Sequence, residues 1–289
     1  MARIADLLAA GRTFSFEFFP PKNDAEQATL ARTLIELQPL DPSFVSVTYR
    51  GGRSSRQRTH DLVVGMLRTT TLTPMAHLIC VAHTRLELAE ILVDFGKAGV
   101  ENLMALGGDP PTDPDAIEGE LRNAVELVEL ARAIGCFSIG VAAHPLGHPR
   151  SADLATDRDR LVEKMELADF AVTQFFFGIE DYLGLVDDLA ERGMYKPVIP
   201  GIMPVTTLTS IPRMAQMGAA VPPEMVARLE SFAHNPEDVR RCGVELATEL
   251  CEKLLAEGAP GLHFYTLNRS TATREIYASL GLPGSPTQN

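Results

Sequence analysis

The sequence predicts an α/β protein, a (β/α)8 TIM barrel with extra helices before its last strand. Short apolar or β-branched runs alternate with segments of helical periodicity, which is typical of right-handed βαβ units. Several runs are almost continuously apolar, as expected of parallel strands covered on both faces. The runs number about eight, which matches a closed barrel and exceeds the five or six strands of many doubly wound sheets.

The predicted strands follow one another at intervals that leave room for a helix between each pair. In chain order they cover residues 13–19, 44–49, 75–81, 102–107, 138–143, 170–176, 197–203 and 262–267. A helical pattern between two of them spans residues 84–98. There Leu86, Ala89, Leu92 and Val93 share one face, which we expect to be buried.

The longest interval between predicted strands, residues 203–262, holds the extra helices. It carries helical patterns and the turn signal Val221-Pro222-Pro223. No linker rich in proline or serine and no internal repeat divides the chain, so we expect one catalytic domain over residues 1–289. Residues 283–289 are polar and rich in proline and glycine, and we expect this tail to fray.

Composition and charge exclude several classes of partner. The 26 Lys and Arg against 38 Asp and Glu give a net charge of −12, which disfavours nucleic-acid binding. No stretch approaches the ~20 apolar residues of a membrane span, and the amino-terminal residues do not resemble a signal peptide. The four cysteines are far apart and form no C-x-x-C pair. We therefore expect a reduced, cytoplasmic protein in which most cysteines fill the core.

Three common motifs are absent. The sequence has no G-x-G-x-x-G after a strand and no G-x-x-x-x-G-K-[ST], so neither common nucleotide-binding loop is present. It also lacks G-x-S-x-G, which disfavours an ordinary α/β-hydrolase. In a barrel, the reactive residues should instead lie at the carboxyl ends of the strands and in the loops that follow.

Glu17 is the most informative residue at a strand end. It is a single charge among four phenylalanines in Phe14-Ser15-Phe16-Glu17-Phe18-Phe19, and strand alternation should point it into the barrel with Ser15. Burial of an isolated carboxylate is costly and favours the protonated form, which a proton donor working near pH 7 needs. A structural glutamate paired with an arginine is the alternative.

Polar residues also end the fourth and sixth predicted strands. Asp109 follows Gly107 and Gly108, and adjacent glycines let the backbone approach a ligand closely; a simple Asp-Pro turn is the alternative. Gln174 lies in an aromatic run, where its amide suits recognition of a heterocycle edge. A satisfied core amide would look the same in the sequence.

Histidines and arginines mark two further loops. The spacing of His144 and His148 suggests a pair of metal ligands, but no third or fourth ligand has suitable spacing. We therefore expect hydrogen-bonding loop histidines and no metal. A dense basic cluster follows the second strand and its Thr48-Tyr49 end. This cluster suits a phosphate-bearing ligand, with a solvated helix start as the alternative. Its members are Arg50, Arg53, Arg56 and Arg58.

These residues resemble the methylenetetrahydrofolate reductase family, in its bacterial form without a regulatory domain. The resemblance runs from about residue 14 to residue 281 and rests on six motifs in the family's order. The motifs are Phe16-Glu17-Phe18-Phe19-Pro20-Pro21-Lys22, Val45-Ser46-Val47-Thr48-Tyr49, Gly108-Asp109-Pro110-Pro111, Thr173-Gln174-Phe175-Phe176-Phe177, Pro200-Gly201-Ile202-Met203-Pro204-Val205 and His263-Phe264-Tyr265-Thr266-Leu267-Asn268-Arg269.

The resemblance implies a (β/α)8 barrel that reduces 5,10-methylenetetrahydrofolate to 5-methyltetrahydrofolate with NAD(P)H and a bound FAD. It implies that Glu17 is the general acid that opens the folate ring to an N5 iminium, which accepts hydride. It also implies that Asp109, Gln174 and Arg269 bind the folate, and we add Tyr49 to this substrate-binding set. A small-molecule folate is the expected partner; related proteins commonly associate, so a homo-oligomer is open.

The resemblance further implies cofactor contacts, and here the chain departs from the family. The implied flavin contacts are Thr48, His77, Asp157 and Lys164, and we add Arg50, Gly108, His144 and His148 to the cofactor-binding set. The departures are Arg50, Gly107, His144 and Glu163, which replace residues usual in flavin-bearing members. Lost cations weaken pyrophosphate binding unless Arg50 or Arg53 replaces them. On this balance we favour direct hydride transfer from NAD(P)H over transfer through FAD.

Two other functions stay open at this point. One is a non-catalytic barrel that binds a pterin or nucleotide, since folds host unrelated roles. The other is a lyase or aldolase with a Schiff-base lysine, which would need a lysine at a strand end inside the barrel. The lysines Lys22, Lys164, Lys196 and Lys253 fall in predicted loops or helices instead.

Overall fold

A computed structural model describes residues 2–49, 53–109 and 119–282, with the backbone alone at residues 53–55. Arg50, the Arg53 side chain and the predicted tail at residues 283–289 therefore lie outside the described residues. The sheet has nine strands, and every neighbouring pair is parallel. They are β1 (Thr13–Phe18), β2 (Phe44–Val47), β3 (Pro74–Ile79), β4 (Asn102–Leu106), β5 (Ser138–Ala143), β6 (Phe170–Thr173), β7 (Val198–Ile199), β8 (Gly201–Ile202) and β9 (Gly261–Tyr265).

The strands close into a barrel through a divided seventh strand. Their order is β7-β6-β5-β4-β3-β2-β1-β9-β8, so the two ends of the sheet are the two pieces that flank Pro200. Proline has no N–H to donate and interrupts the ladder. The Pro200 carbonyl still accepts a hydrogen bond from the His263 N–H at 2.9 Å. The predicted (β/α)8 barrel is confirmed.

Helices alternate with the strands and cover the outside of the barrel. Three of them, α8, α9 and α10, lie between β8 and β9, where the sequence predicted extra helices. The helices are α1 (Ile4–Ala10), α2 (Asp24–Leu37), α3 (Arg53–Thr69), α4 (Arg85–Ala98), α5 (Ala124–Ile134), α6 (Leu154–Leu167), α7 (Ile179–Glu191), α8 (Ile211–Gln216), α9 (Pro223–Glu230), α10 (Pro236–Ala256) and α11 (Thr271–Ser279).

The predicted buried face of α4 is wrong in part. Leu86 and Val93 are exposed, whereas the buried stripe runs through Leu88, Ile91 and Phe95, together with the Leu92 that was predicted. This rotation of the helix removes the large Phe95 and Ile91 side chains from water, and the hydrophobic gain grows with the apolar area buried. The sequence predicted the helix correctly, but the face that is buried is rotated about the helix axis relative to the predicted face.

Helix α1 closes the amino-terminal end of the barrel. Ile4 and Leu8 pack into an apolar cluster inside the lower half of the barrel. Two strand residues hold the start of the helix, because Ile4 N–H donates to Asn102 Oδ1 at 2.8 Å and Ala5 N–H donates to Ser138 Oγ at 3.0 Å. These side chains satisfy N–H groups that have no partner within the helix. Helix α1 and this apolar cluster therefore fill the amino-terminal end of the barrel.

The cysteines are all free, as expected. Cys80, Cys242 and Cys251 are buried and Cys136 is exposed. Among the described residues, no helix is both long and apolar enough to cross a membrane.

Candidate active site

A cavity of about 230 Å³ opens at the carboxyl ends of the barrel strands. This is the end at which barrels of this type carry their active sites. Four of the predicted site residues line it: Glu17, His77, His144 and Gln174. The rest of the wall is mostly apolar or aromatic, which together with a few converging polar groups is typical of a small-molecule site.

Glu17 faces into this cavity. Its backbone pairs with Ser46 of β2 and Tyr265 of β9, and it is only 7% exposed. The carboxylate Oε2 lies 3.5 Å from His77 Nε2 and 3.7 Å from His263 Nε2. In the part of the chain that the structure describes, the side chains nearest to this carboxyl group that could carry a positive charge are these two imidazoles and not an arginine. The alternative of an arginine-paired structural glutamate is therefore not what these residues form.

His263 is held rigidly beside Glu17. It is fully buried, and its Nδ1 lies 2.7 Å from Ser15 Oγ. Its ring stacks on Phe44, with centroids 6.0 Å apart and planes 15° apart, and meets the Tyr265 ring edge-on at 5.3 Å. Burial, with the Glu17 charge in second place, raises the pKa of Tyr265 well above its ordinary value, so this phenol stays neutral.

Two buried polar atoms of the predicted cofactor contacts have no hydrogen-bond partner among the described residues. They are Thr48 Oγ1 and His77 Nε2. Burial lowers the pKa of His77, against the opposing effect of Glu17, so its imidazole is neutral near pH 7. Buried polar groups in folded proteins are nearly always paired. These two atoms can accept a ligand's polar groups, which fits their implied role in cofactor contact.

Gln174 lines the cavity with its amide partly engaged. Its Oε1 accepts from the Phe175 N–H at 3.0 Å, and its Nε2 donates to the Met217 carbonyl at 3.3 Å. Met217 follows helix α8 and lines the same cavity. A primary amide has a second N–H and a second lone pair, so Gln174 retains one donor and one acceptor for a ligand.

The loop between β5 and α6 is tied together by Asp157 and Arg158. Asp157 Oδ1 accepts from the His148 N–H at 3.1 Å and from Ser151 Oγ at 3.0 Å. The buried Arg158 guanidinium donates to Asp157 Oδ2 and to the His144 carbonyl, at 3.2 and 2.9 Å. Asp157, predicted as a cofactor contact, thus accepts hydrogen bonds that hold the loop that carries both histidines.

The two loop histidines are neutral. Burial first, and then His148 and Lys164, lower the pKa of His144 to about 4. Burial and Arg150 also lower the pKa of His148. The two rings meet edge-on, with centroids 4.7 Å apart. Lys164 Nζ donates to the Ala142 carbonyl at 2.8 Å, and burial lowers its pKa too. This side chain is thus engaged by the barrel wall beside the cavity.

Asp109 lies exposed at the rim of the barrel, outside the cavity lining. Gly108 precedes it with φ +88°, and a Cβ there would lie 2.4 Å from Val81 Cγ1, so close packing against β3's end requires glycine. The Gly108 carbonyl accepts from Arg150 Nη2 at 3.0 Å. In the structure Gly108 therefore serves the packing of the rim, and its carbonyl is already occupied.

Two other predicted substrate contacts also lie outside the cavity lining. Tyr49 is buried and its hydroxyl pairs with His83 Nε2 at 2.7 Å, which ties the end of β2 to the loop after β3. Burial raises the pKa of Tyr49 to about 12. Arg269 is exposed on the turn after β9, where its N–H donates to the Thr266 carbonyl at 2.9 Å. Arg50 belongs to the residues that the structure does not describe.

A second and larger cavity, of about 410 Å³, lies on the outer wall of the barrel among α7, α9 and α10. None of the predicted site residues lines it. Within residues 2–49, 53–109 and 119–282, no group of three or more His, Cys, Asp or Glu side chains is arranged to hold a metal ion.

Several residues of the site did not emerge from the sequence. Strand alternation carried from β1 to β9 would have flagged His263 and Tyr265, because they occupy alternate positions of a strand and face the same side. Met217 carries no local signal, since it reaches the cavity through the packing of the helices between β8 and β9. Arg158 looks like any helical arginine until its loop partners are known.

Comparison with known proteins places the chain in one family. A family model described as methylenetetrahydrofolate reductase matches residues 3–281. The 5,10-methylenetetrahydrofolate reductase of Pectobacterium carotovorum subsp. carotovorum is 35% identical over 273 residues, which cover 93% of this chain and 90% of that protein. The enzyme of that name from Salmonella typhimurium is 36% identical, with 93% and 91% covered.

A plant relative agrees with this result, and a solved structure shares the fold. Methylenetetrahydrofolate reductase (NADH) 1 of Arabidopsis thaliana is 34% identical over 297 residues, 97% of this chain and 50% of the plant protein. A solved Clostridium thermocellum protein, described as binding two copies of 5-methyl-5,6,7,8-tetrahydrofolic acid, superimposes with a TM-score of 0.63. It is 14% identical and covers 94% of this chain and 96% of its own, a likeness of fold alone. The sequence relatives and the family match show that this chain belongs to the methylenetetrahydrofolate reductase family.

Proposed function

We propose that this protein reduces 5,10-methylenetetrahydrofolate to 5-methyltetrahydrofolate with hydride from NAD(P)H, and that Glu17 is the proton donor. Membership of the reductase family supports the reaction. The observation that carries the role of Glu17 is its position, since a carboxyl group only 7% exposed faces the cavity at the carboxyl end of the barrel. A group that only bound the substrate would not need to be an acid buried among apolar side chains.

The proposed chemistry begins with a proton transfer. The Glu17 O–H bond breaks and an N10–H bond forms, while the electron pair of the bond between N10 and the methylene carbon moves to N10. The folate is left as an N5 iminium, and its methylene carbon accepts the hydride. Glu17 then regains a proton from solvent after the product leaves. Positioned proton donors of this kind contribute about 10²–10⁴-fold to a rate.

The pterin would be held by polar groups at the mouth of the cavity. The free donor and acceptor of Gln174 complement a ring N–H and a ring carbonyl. Asp109 and Arg269, both exposed near this end of the barrel, would reach the substrate from the rim. The apolar wall, which includes Met104 and Val172, would take up the flat ring.

We further propose that the hydride passes directly from NAD(P)H to the folate. Of the four implied flavin contacts, Thr48 and His77 have buried polar atoms free for a ligand, whereas Asp157 and Lys164 are engaged within the chain. Gly107 and the exposed Glu163 supply no cation for a pyrophosphate. If FAD did bind, Thr48 and His77 would contact it and it would relay the hydride between the two substrates.

The test is an assay of purified protein with methylenetetrahydrofolate and NADH or NADPH, with and without added FAD, preceded by an absorption spectrum. We expect folate-dependent oxidation of the reduced nucleotide, matched by 5-methyltetrahydrofolate formed, without a flavin band and without stimulation by FAD. A stoichiometric flavin band would contradict direct transfer. Tight folate binding without any nucleotide oxidation would instead identify a non-catalytic binding barrel.

A further inference from the structure

The carboxyl group of Glu17 has a second buried partner whose role the proposed reaction does not assign. His263 Nε2 lies 3.7 Å from Glu17 Oε2, and the imidazole is fully buried. Its other ring nitrogen, Nδ1, is 2.7 Å from Ser15 Oγ, two residues before Glu17 on the same face of β1. Ser15, Glu17 and His263 thus form a connected group within the barrel.

The short contact with Ser15 links the hydroxyl proton to the tautomer of His263. A serine hydroxyl has one proton, and Ser15 Oγ has two acceptors in reach, His263 Nδ1 at 2.7 Å and the Leu262 carbonyl at 3.4 Å. When the hydroxyl donates to Nδ1, the ring carries a proton on Nε2, the nitrogen that faces Glu17 and, at 3.4 Å, Ser46 Oγ. When the hydroxyl donates to the Leu262 carbonyl, Nδ1–H donates to Ser15 Oγ instead.

The Glu17 carboxylate that forms in the reaction needs a hydrogen-bond donor. When Glu17 gives up its proton, a negative charge appears in a wall that contains no lysine or arginine among the described residues. The other titratable groups that face this pair are His77 from β3, Tyr265 from β9 and His144 after β5. The remaining strands contribute neutral side chains to the same wall, among them Met104, Val172 and Met203. Buried anions without compensation are costly.

We infer that His263, fixed by Ser15, is the positioning residue that stabilises the Glu17 carboxylate through its Nε2–H as the proton leaves. This inference rests on the proposed function. The contact of 3.7 Å shortens as the charge develops, because hydrogen bonds to catalytic groups tighten in the reacting complex. His77 Nε2 lies nearer to Glu17 Oε2, at 3.5 Å. None of the hydrogen bonds within the described residues holds the His77 ring, however, so it lacks the fixed orientation of His263.

The test compares the pH dependence of kcat/KM in His263→Leu, His263→Gln, Ser15→Ala and wild-type protein. Activity that needs protonated Glu17 falls as pH rises, and loss of a donor to the carboxylate moves this fall to higher pH. For His263→Leu we expect a shift of about one pH unit and a kcat lower by about tenfold or more. His263→Gln keeps an N–H near the position of Nε2, so its pH profile should shift less. The pH profile of Ser15→Ala should shift in the same direction as that of His263→Leu.

Controls separate positioning from packing. His234→Gln, at an exposed site away from the cavity, should match wild type. A lower kcat in His263→Leu with an unmoved pH profile would overturn the inference, because it would mean that the imidazole only fills the barrel. Thermal unfolding shows whether the leucine variant is folded, and an unmoved profile in Ser15→Ala overturns the inference if it is not.

A second readout distinguishes failure of this inference from failure of the proposed function. Wild-type protein without folate-dependent nucleotide oxidation would refute the proposed function alone. In ¹⁵N-histidine NMR spectra, independent of activity, we expect His263 as the Nε2–H tautomer and a shift of its Nε2 signal in Glu17→Gln. An Nδ1–H tautomer, or an Nε2 signal indifferent to Glu17→Gln, would overturn the inference whatever the activity.

Discussion

Several side chains at the mouth of the barrel have pKa values shifted from their ordinary values. His144 is the clearest case, because burial and its cationic neighbours lower its pKa to about 4. A neutral imidazole is thus part of the cavity wall at pH 7. At pH values between about 4 and 6.5 this imidazole is neutral in the folded protein but protonated in the unfolded chain. Stability therefore depends on pH in this range.

The pH dependence of stability should therefore weaken when His144 is replaced. The folded-state pKa lies below the unfolded value of 6.5, so the unfolded chain binds more protons between these values. The stability that depends on neutral His144 is present above pH 6.5 and is lost as pH falls toward 4. We expect His144→Gln to lose less stability than wild type between pH 7.5 and 4.5, by about 1–3 kcal/mol. Urea unfolding at both pH values measures this; equal losses would contradict it.

At the scale of elements, the turn after β9 binds the end of β1. Thr266 Oγ1 donates to the Glu17 carbonyl at 2.6 Å. Asn268 Oδ1 accepts from the Phe19 N–H at 2.8 Å, and Asn268 Nδ2 donates to the Phe19 carbonyl at 2.9 Å. Leu267 and Asn268 both have positive φ, 51° and 58°. Asparagine tolerates that conformation better than other residues with a Cβ, so its side chain and backbone both suit this position.

Replacement of Asn268 should loosen this connection. Asn268→Ala removes both hydrogen bonds to Phe19 and leaves an alanine in left-handed backbone, and we expect a loss of about 2–3 kcal/mol in the free energy of unfolding. Asn268→Gly removes the same bonds without the strain and should lose about 1 kcal/mol less. Chemical denaturation measures both. Equal losses in the two variants would show that the backbone strain contributes nothing.

Two glycines inside helices differ in the space available for a side chain. A Cβ on Gly243 of α10 would lie 1.8 Å from the Val205 carbonyl oxygen, whereas a Cβ on Gly184 of α7 meets nothing within 4 Å. Gly243→Ala must push α10 away from the chain after β8, and we expect a loss of about 3 kcal/mol. Gly184→Ala should instead stabilise by about 0.5–1 kcal/mol, because alanine favours helices. Thermal unfolding of both tests this; a stabilised Gly243→Ala protein would contradict the packing.

At the scale of the whole molecule, the closed barrel determines which residues meet. β9 pairs with β1 on one side and β8 on the other, so Glu17 and His263 become neighbours across 246 positions of sequence. Helix α1 and the apolar side chains packed against it fill the amino-terminal half of the barrel. The free volume inside the barrel is therefore concentrated at the end where Glu17 lies.

Local sequence patterns predicted the barrel and the inward position of Glu17, but not the details of the site. Strand alternation predicted the inward Glu17, and the resemblance predicted His77 and Gln174, which line the cavity. It also led to Asp157, whose carboxylate is satisfied by its own loop. Such engagement depends on the fold of the loop and has no local signature. For the same reason the buried face of α4 was predicted wrongly in part, because the neighbouring elements decide which apolar stripe of the helix is buried.

The most direct test of the account is the turnover of Glu17→Gln with methylenetetrahydrofolate and the reduced nucleotide. The amide keeps the shape of the side chain but has no acidic proton, so turnover should fall by about 10²–10⁴-fold while the folate still binds. Circular dichroism and folate titration establish that the variant is folded and competent to bind. Turnover within a few-fold of wild type would contradict the assignment of Glu17 as the proton donor.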